Sequence, residues 1–379
     1  MIRFLHTSDW QLGMTRHYLD AEAQSAFSRS RFDAILEMAR LADQEGCDFV
    51  VVAGDVFETN QVDRRTLIRA CDALEAFRCP VYLLPGNHDC LDPSTVFRRE
   101  DFRAHCPDHV EVLDDGEART PCDGVEVVGA PWTSKHPLED LVAKHLAGKP
   151  APIGLRIVVA HGAVDTLNPD QNALAAIELD AAQQAITAGH MHYLALGDRH
   201  SLTEVGDSGR IWYSGAPEPT AYVEVKPGFA LLVEMDGDDI QTTPHEIGRW
   251  HYHLLEQELL PTHGIDALAH MLNTVDDKAR AIAKLKLRGT VTLSQFEQIE
   301  QLLADQRHLC AALEHPQRHR DVAVLPDSDE LANLHLVGWA AEGAELLSES
   351  AGGEGAAAEA ARDALGLLMR LQRKAGGAG

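Results

Sequence analysis

The chain has 379 residues, 45% of them hydrophobic, enough for two or three packed units and a sizeable buried core. Thirty-three basic residues against fifty-nine acidic ones leave a formal charge of −26. That balance opposes long-range attraction of a polyanion, because phosphate contacts normally supply most non-specific nucleic-acid affinity. DNA binding would therefore need a local basic patch, bound metal ions or a partner subunit. No run of about 18 apolar residues is present to span a bilayer. Residues 1–5 lack the long apolar stretch of a signal peptide and read as a first strand. The cysteines (Cys47, Cys71, Cys79, Cys90, Cys106, Cys122 and Cys310) are seven, without a C-x-x-C pair, which predicts reduced thiols of a cytoplasmic protein.

The first half alternates short apolar strands with amphipathic helices. A strand is expected at residues 2–6, then a helix after Asp20 with Phe32, Ile35, Leu36 and Ala39 on one face. Residues 49–52 form a continuously apolar strand of the kind buried on both faces. A helix at 62–77 and a strand at 80–84 follow. Further strands are expected at 125–128, 155–160, 185–188, 211–213, 229–235 and 240–243, the last two joined by an Asp236-Gly237 turn. This order predicts an α/β sandwich with a mixed sheet over residues 1–248. Residues 249–335 read as a small α+β domain, with strands at 251–255, 281–287 and 322–325 and helices at 265–272 and 294–313. Residues 336–379 read as a tail. Within it, 348–355 look like a flexible linker, and Ala361, Leu365, Leu367, Leu368, Met369, Leu371 and Gln372 trace a helix face suited to its own domain or to a partner.

Five segments at or beyond predicted strand ends carry metal-binding residue types: Asp9-Trp10-Gln11, Gly54-Asp55, Gly86-Asn87-His88-Asp89, His161-Gly162 and Gly189-His190-Met191-His192. Ligand sites in open α/β sheets lie at those ends. Asp and Asn oxygens mixed with His nitrogens suit Mn, Fe or Zn rather than Ca, and the lack of thiolates argues against a structural zinc knot.

In this order, the segments resemble the signature of calcineurin-like metallophosphoesterases. Thr7–Gly13, Ala53–Phe57 and Leu84–Asp89 are similar to the nuclease subunit of the bacterial SbcCD complex and to its meiotic-recombination relatives. The resemblance covers about residues 1–220. It implies a four-layer α/β sandwich, a smaller α+β capping domain that selects DNA geometry, and a helical tail that docks on an SbcC-like coiled-coil ATPase. It also implies a homodimer and two divalent cations, foremost Mn²⁺ with Mg²⁺ or Fe as alternatives. Asp55 would bridge the ions; Asp9, Gln11 and His192 would hold one, and Asn87, His161 and His190 the other. The ions would activate a water and neutralise phosphate oxygens. His88, oriented by Asp89, would protonate the leaving alkoxide or stabilise the transition state.

The resemblance places His where this chain has Gln11. A Gln oxygen is a neutral, harder and weaker ligand, so the first ion should bind more weakly and favour Mn²⁺ or Mg²⁺ over Zn²⁺. The stronger form of the argument is a one-metal, inactive scaffold. Arg16 and His17, Arg64 and Arg65, and Arg98 and Arg99 follow three of the segments and could meet a phosphate backbone. Tyr18, Trp132 and Tyr193 are candidates for base stacking, with core packing the alternative for Trp132. The acidic balance also suits a small-molecule phosphodiesterase or phosphatase, such as one acting on a nucleotide.

Overall fold

The computed structural model describes residues 1–379 except 169, 171–172, 260–263, 316–319, 325–335, 337, 352, 354, 356, 359, 362–363, 366–367 and 369–379. The chain divides into two compact units: residues 1–17 with 21–250, and 18–20 with 251–379. The expected boundary after residue 248 lies two residues from this division.

In the first unit the strands in chain order are β1 (Ile2–Thr7), β2 (Phe49–Val52), β3 (Val81–Leu83), β4 (Val110–Val112), β5 (Ala118–Arg119) and β6 (Val125–Ala130). They continue with β7 (Leu155–His161), β8 (Tyr193–Gly197), β9 (Thr203–Glu204), β10 (Ile211–Tyr213), β11 (Phe229–Asp236) and β12 (Asp239–Glu246). Five helices accompany them: α1 (Ala21–Glu45), α2 (Arg64–Leu74), α3 (Glu100–His105), α4 (Leu141–Leu146) and α5 (Leu179–Thr187). Two six-stranded sheets result, ordered β12-β11-β1-β2-β3-β4 and β5-β6-β7-β8-β10-β9. Strands β1 to β4 run parallel, as do β6, β7, β8 and β10, with antiparallel strands at the edges.

Strand periodicity explains the layers. Successive side chains point to opposite faces. In β2, Phe49 and Val51 enter the core between the two sheets, whereas Val50 and Val52 enter the core under α1 and α2. In β7 and β8, Ile157, Val159, Tyr193 and Ala195 enter the same central core, whereas Val158, Ala160, Leu194 and Leu196 pack with α4 and α5. A strand buried on both faces reads as a continuous apolar run, which is what residues 49–52 show. The product is the expected α/β sandwich, helix–sheet–sheet–helix.

Local differences have physical reasons. Phe32, Ile35 and Ala39 of α1 are buried, but Leu36 is exposed, because the buried stripe runs through Met38 and Ala42 instead. The strand expected at 185–188 is the end of α5, whose Gly189 has φ +72° and donates its N–H to Ile186 O at 3.0 Å. A left-handed glycine after the last turn is a helix stop. The run Ala185–Ala188 is too short for periodicity to separate helix from strand. The true strand is β8, eight residues further on.

The second unit holds β13 (His251–Leu259), α6 (Gly264–Asn273), β14 (Ala281–Val291), α7 (Leu293–Arg307), β15 (Ala312–Glu314), β16 (Arg320–Val324) and α8 (Trp339–Ala351). Its strands pair in parallel around β14. A capping box of Thr292 and Gln295 starts α7. That helix stops six residues before the expected end at 313, a position that falls within β15. Ser348 to Ala351, expected as linker, continue α8, whose Ala, Glu and Leu residues are strong helix formers. Leu367, Met369, Leu371 and Gln372 lie outside the described residues. No helix among the described residues is long and apolar enough to cross a membrane.

One buried histidine ties the sheets together. His6 on β1 donates Nε2–H to Leu196 O (3.2 Å), leaving Nδ1 to accept from Tyr193 Oη at 3.1 Å. Burial lowers its pKa to about 3, with the bond to Leu196 acting weakly the other way. The folded state thus holds His6 neutral, while the unfolded chain binds a proton below about pH 6.5. Stability from this residue is full above that pH and is lost as pH falls toward 3. Lowering pH from 7 to 5 should cost about 2 kcal/mol through His6 alone. Urea midpoints at the two pH values should show a smaller difference in His6→Gln than in the native chain; an unchanged difference would remove His6 from the account.

Candidate metal centre

The loops after β1 and β2 run side by side as a short backbone ladder. Asp9 N donates to Gly54 O (3.0 Å), Gln11 N to Asp55 O (2.9 Å), Leu12 N to Val56 O (2.9 Å), and Glu58 N back to Leu12 O (3.0 Å). The ladder sets Asp9 and Gln11 beside Asp55. Six non-glycine residues among those described have positive φ, and four are Asp9 (55°), Gln11 (45°), Asp55 (54°) and Asp198 (92°). Such backbone costs of order 1–3 kcal/mol per residue and collects where function requires it.

His161, at the end of β7, crosses to the other sheet. Its Nδ1–H donates to Ala53 O at 2.8 Å, so Nε2 is the nitrogen that faces the centre. Nε2 lies 3.5 Å from Asp55 Oδ1 and 3.8 Å from Asp198 Oδ1. Close packing requires glycine here. A Cβ on Gly54 would meet His161 Nδ1 at 2.2 Å, and one on Gly197 would meet Ala53 O at 1.9 Å. Behind His161, Trp132 donates Nε1–H to its carbonyl at 2.6 Å.

Asp9, Asp55 and His161 are buried, with one ligand atom of each within 4.8 Å of the others. Asp9 accepts from Ser8 Oγ (2.6 Å) and from Asp198 N (3.1 Å). Burial first, and the Asp55 charge in addition, raise the Asp9 pKa against the pull of His200 and His161. Burial acts to raise Asp55 as well, but His161 and His88 outweigh it and the net direction is down. Burial acts to lower His161, and Asp55, Asp9 and Asp198 carry it well above its ordinary value.

Two further observations show that these residues fit a cation. Asn87 Oδ1 stands 2.8 Å from His161 Nε2 beside the Asp55 carboxylate, acceptor against acceptor whenever the His161 ring is neutral. Turning the amide over would let Nδ2 donate to His161 and Asp55; a cation between the groups would instead satisfy the oxygen. Gln11 Oε1 is buried without a hydrogen-bond partner, while its Nε2 stands 3.2 Å from His200 Nε2. A buried unsatisfied carbonyl is costly unless a ligand completes it.

The Gly86–Asp89 turn supplies the remaining groups. His88 N–H donates to Asp55 Oδ1 (2.9 Å), and its Nδ1–H donates to Glu58 O (2.9 Å). Its Nε2 is 4.0 Å from Asp55 Oδ2. The main chain of Glu58, not Asp89, therefore orients the imidazole. Asp89 is fully buried and accepts from Gly86 N (2.7 Å) and Phe57 N (3.0 Å), tying the turn to the loop after β2. Burial first, then the Asp55 charge, push its pKa up to about 7.

Of the expected ligands, Asp9, Gln11, Asp55, Asn87 and His161 converge, whereas His190 and His192 do not. His192 Nδ1 accepts from Arg156 N (3.1 Å) at the opposite end of β7, and the His190 carbonyl accepts from Arg156 Nη1 (3.0 Å). Five residues separate Arg156 from His161 along the strand, about 16 Å at the usual rise. The groups that do arrive are Asp198 and His200, just beyond β8, where His161 and Gly197 stand in register. His200 Nε2 is 3.7 Å from Asp9 Oδ1. Their signal in the sequence is an apolar run, Tyr193 to Leu196, ending in Gly-Asp-x-His, the same strand-then-glycine pattern as Gly54-Asp55.

Of the arginines singled out in the sequence, Arg64, Arg65 and Arg98 are exposed. Arg99 is engaged by Asp101 (2.6 Å) and Val62 O (2.6 Å), and Arg16 donates to Thr220 O (2.8 Å). Tyr193 is wholly buried on His6 and cannot stack on a base.

A family model for calcineurin-like phosphoesterases matches residues 2–233. The chain belongs to that family. Calcineurin-like phosphoesterases act on phosphoesters with divalent metals, and the Asp9–Asp55–His161 cluster is the candidate metal site here. The chain is 24% identical over 253 residues to the DNA double-strand break repair protein Mre11 of Sulfolobus acidocaldarius, spanning 62% of this chain and 61% of that protein. It is 37% identical over 93 residues to a subunit of the nuclease SbcCD of Escherichia coli K12, spanning 24% and 22%. It is 33% identical over 91 residues to Mre11 of Archaeoglobus fulgidus, spanning 23% and 19%. The chain thus spans about three fifths of the first relative's length and about a fifth of the other two.

Metal titration of single variants tests the placement. Asp198→Ala and His200→Ala should each weaken Mn²⁺ binding roughly 10-fold or more. His190→Ala and His192→Ala should leave it unchanged, and the reverse pattern would return the ligand role to the latter pair.

Proposed function

We propose that this chain is a divalent-cation-dependent phosphodiester hydrolase acting on DNA in repair, working in the cytoplasm as a homodimer with an SbcC-like coiled-coil ATPase. The observation that carries the reading is the surrounding of one buried carboxylate, Asp55, by Asp9, His161, His88 and Asn87. The repair and nuclease names of the relatives support the substrate. A partner would also supply the DNA affinity that a chain of charge −26 lacks. On this reading the second unit and the tail serve DNA and ATPase binding.

Asp55 would be shared by two cations, one also held by Asp9, Gln11 and His200, the other by Asn87, His161 and Asp198. Three carboxylates, two amide oxygens and two imidazoles make a donor set richer in oxygen than in nitrogen, which favours Mn²⁺ or Mg²⁺ over Zn²⁺. When bound, such ions supply Lewis acidity and an activated water for in-line attack on phosphorus. The protein's own groups do the rest. His88, fixed through Nδ1, presents Nε2 toward the centre, and its doubly protonated form would deliver the proton to the leaving oxygen. Asp89 keeps the turn that carries His88 and Asn87 in place.

The acidic balance and the engagement of Arg99 by Asp101 favour a second reading, hydrolysis of a small phosphoester. Purified chain titrated with Mn²⁺ and offered linear double-stranded DNA, a generic phosphodiester and a phosphomonoester separates the two. The nuclease reading expects Mn²⁺-dependent loss of DNA, reduced about 10²–10⁴-fold in His88→Ala and abolished in Asp55→Ala. Turnover of the small esters alone, with and without the ATPase partner, would overturn it in favour of the second reading. No turnover and no bound metal would leave a non-catalytic subunit. Gln11→His should tighten the first cation; unchanged occupancy would take Gln11 out of the ligand set.

A further inference from the structure

We propose that Glu224 is a positioning residue that fixes the tautomer and ring orientation of His200, so that one of the two cation sites depends on a carboxylate outside the centre. The inference deepens the metal-site reading and rests on it.

The loop that follows β10 folds back beneath His200. His200 Nδ1 lies 2.7 Å from Thr220 Oγ1 and 3.0 Å from Glu224 Oε1. Thr220 Oγ1 in turn donates to Glu224 Oε1, and Thr220 N–H donates to Glu224 Oε2 at 2.9 Å. The Glu224 carboxylate is mostly buried, 6% exposed, while its neighbours Val223 and Val225 are 86% and 66% exposed. The alternation turns one acid inward between two solvent-facing valines.

An ionised carboxylate only accepts, so the proton of a neutral His200 must sit on Nδ1. Nε2 is then left with its lone pair, 3.7 Å from Asp9 Oδ1 and 3.2 Å from Gln11 Nε2. The Gln11 amide N–H donates to that lone pair, and a cation between Nε2 and the Asp9 carboxylate would take its place. A carboxylate behind a ligating imidazole also raises the basicity of its free nitrogen and holds the ring plane. Gln11 offers only a neutral oxygen on the same side. A strengthened His200 compensates for it.

The other candidate imidazole, His161, is fixed differently. Its Nδ1–H donates to a main-chain carbonyl, Ala53 O. Loss of Glu224 should therefore weaken the cation held by Asp9, Gln11 and His200 and spare the one held by Asn87, His161 and Asp198. A merely structural contribution of Glu224 would not separate the two.

The experiment is Mn²⁺ titration of the full chain by calorimetry and by electron paramagnetic resonance, in native protein, Glu224→Ala, Glu224→Gln and Thr220→Val. Metal-free samples with ¹⁵N-labelled histidine, at alkaline pH where the ring is neutral, report the His200 tautomer, assigned against His200→Asn. Glu224→Ala should lower affinity at one of two sites about 10–100-fold, leave the other within about threefold, and abolish the preference for the Nδ1–H tautomer. Glu224→Gln, whose amide oxygen still accepts from Nδ1, should keep the tautomer and recover part of the affinity. Should Glu224→Ala fail to fold, Thr220→Val removes one of the two Nδ1 acceptors and must shift the same site in the same direction. Two sites of native affinity in Glu224→Ala, or equal weakening of both, would overturn the positioning role while leaving the metal centre intact. A native chain that binds no Mn²⁺ would overturn the metal reading and this inference together, and the native titration alone shows which has failed.

Discussion

Everything at the centre follows from burying two carboxylates beside each other. Asp9 and Asp55 lie in the same water-poor space with His161, and their negative charges disfavour one another at low dielectric. Protons relieve this incompletely. The carboxylates carry His161 well above its ordinary value, so that its Nε2–H can face Asn87 Oδ1, yet Gln11 Oε1 is left with no hydrogen-bond partner. A divalent cation would answer the carboxylates and the unpartnered Gln11 oxygen together. The strained main chain at Asp9, Gln11, Asp55 and Asp198 is the structural counterpart of the same demand, since those φ values persist only where surrounding bonds over-determine them.

The sheets meet that demand by converging. Loops beyond β1, β2 and β3 bring Asp9, Asp55, Asn87 and His88 from one sheet; β7 and β8 bring His161, Asp198 and His200 from the other. The His161–Ala53 hydrogen bond and the His6 contacts with Tyr193 and Leu196 fasten the two layers. Glycines at 54 and 197 allow the approach, because a side chain at either position would collide with the opposite sheet.

Most of this architecture is legible in the residues. The sandwich, the strand ends and five convergent side chains follow from apolar runs punctuated by glycine and a metal-binding type. The failure at Gly189–His192 is instructive for the same reason. That segment has the right letters, but they belong to a helix stop and the amino end of β8, and only the register of β7 with β8 shows which end of a strand a residue occupies. Asp198 and His200 escape notice because Asp-Arg-His lacks the paired histidines of the earlier segment. Asp89 misleads for a different reason: adjacency in sequence suggests contact with His88, whereas its carboxylate points back to Gly86 and Phe57. Glu224 leaves no sequence signal at all, since it lies 24 residues beyond the imidazole it serves.

The alternation along β7 and β8 carries a consequence for how such a chain can diverge. Each of these strands sends odd-numbered side chains into the central core and even-numbered ones toward α4 and α5. Deleting or adding a single residue within either strand would exchange the two sets and move His161 or Gly197 off the end where they meet. The loops beyond the strands carry no such parity. Lineages sharing this scaffold can therefore lengthen, shorten or rewrite the segments after residues 13, 165 and 225 while the strand lengths stay locked, so differences in substrate should accumulate in the loops and leave the strands between them unaltered.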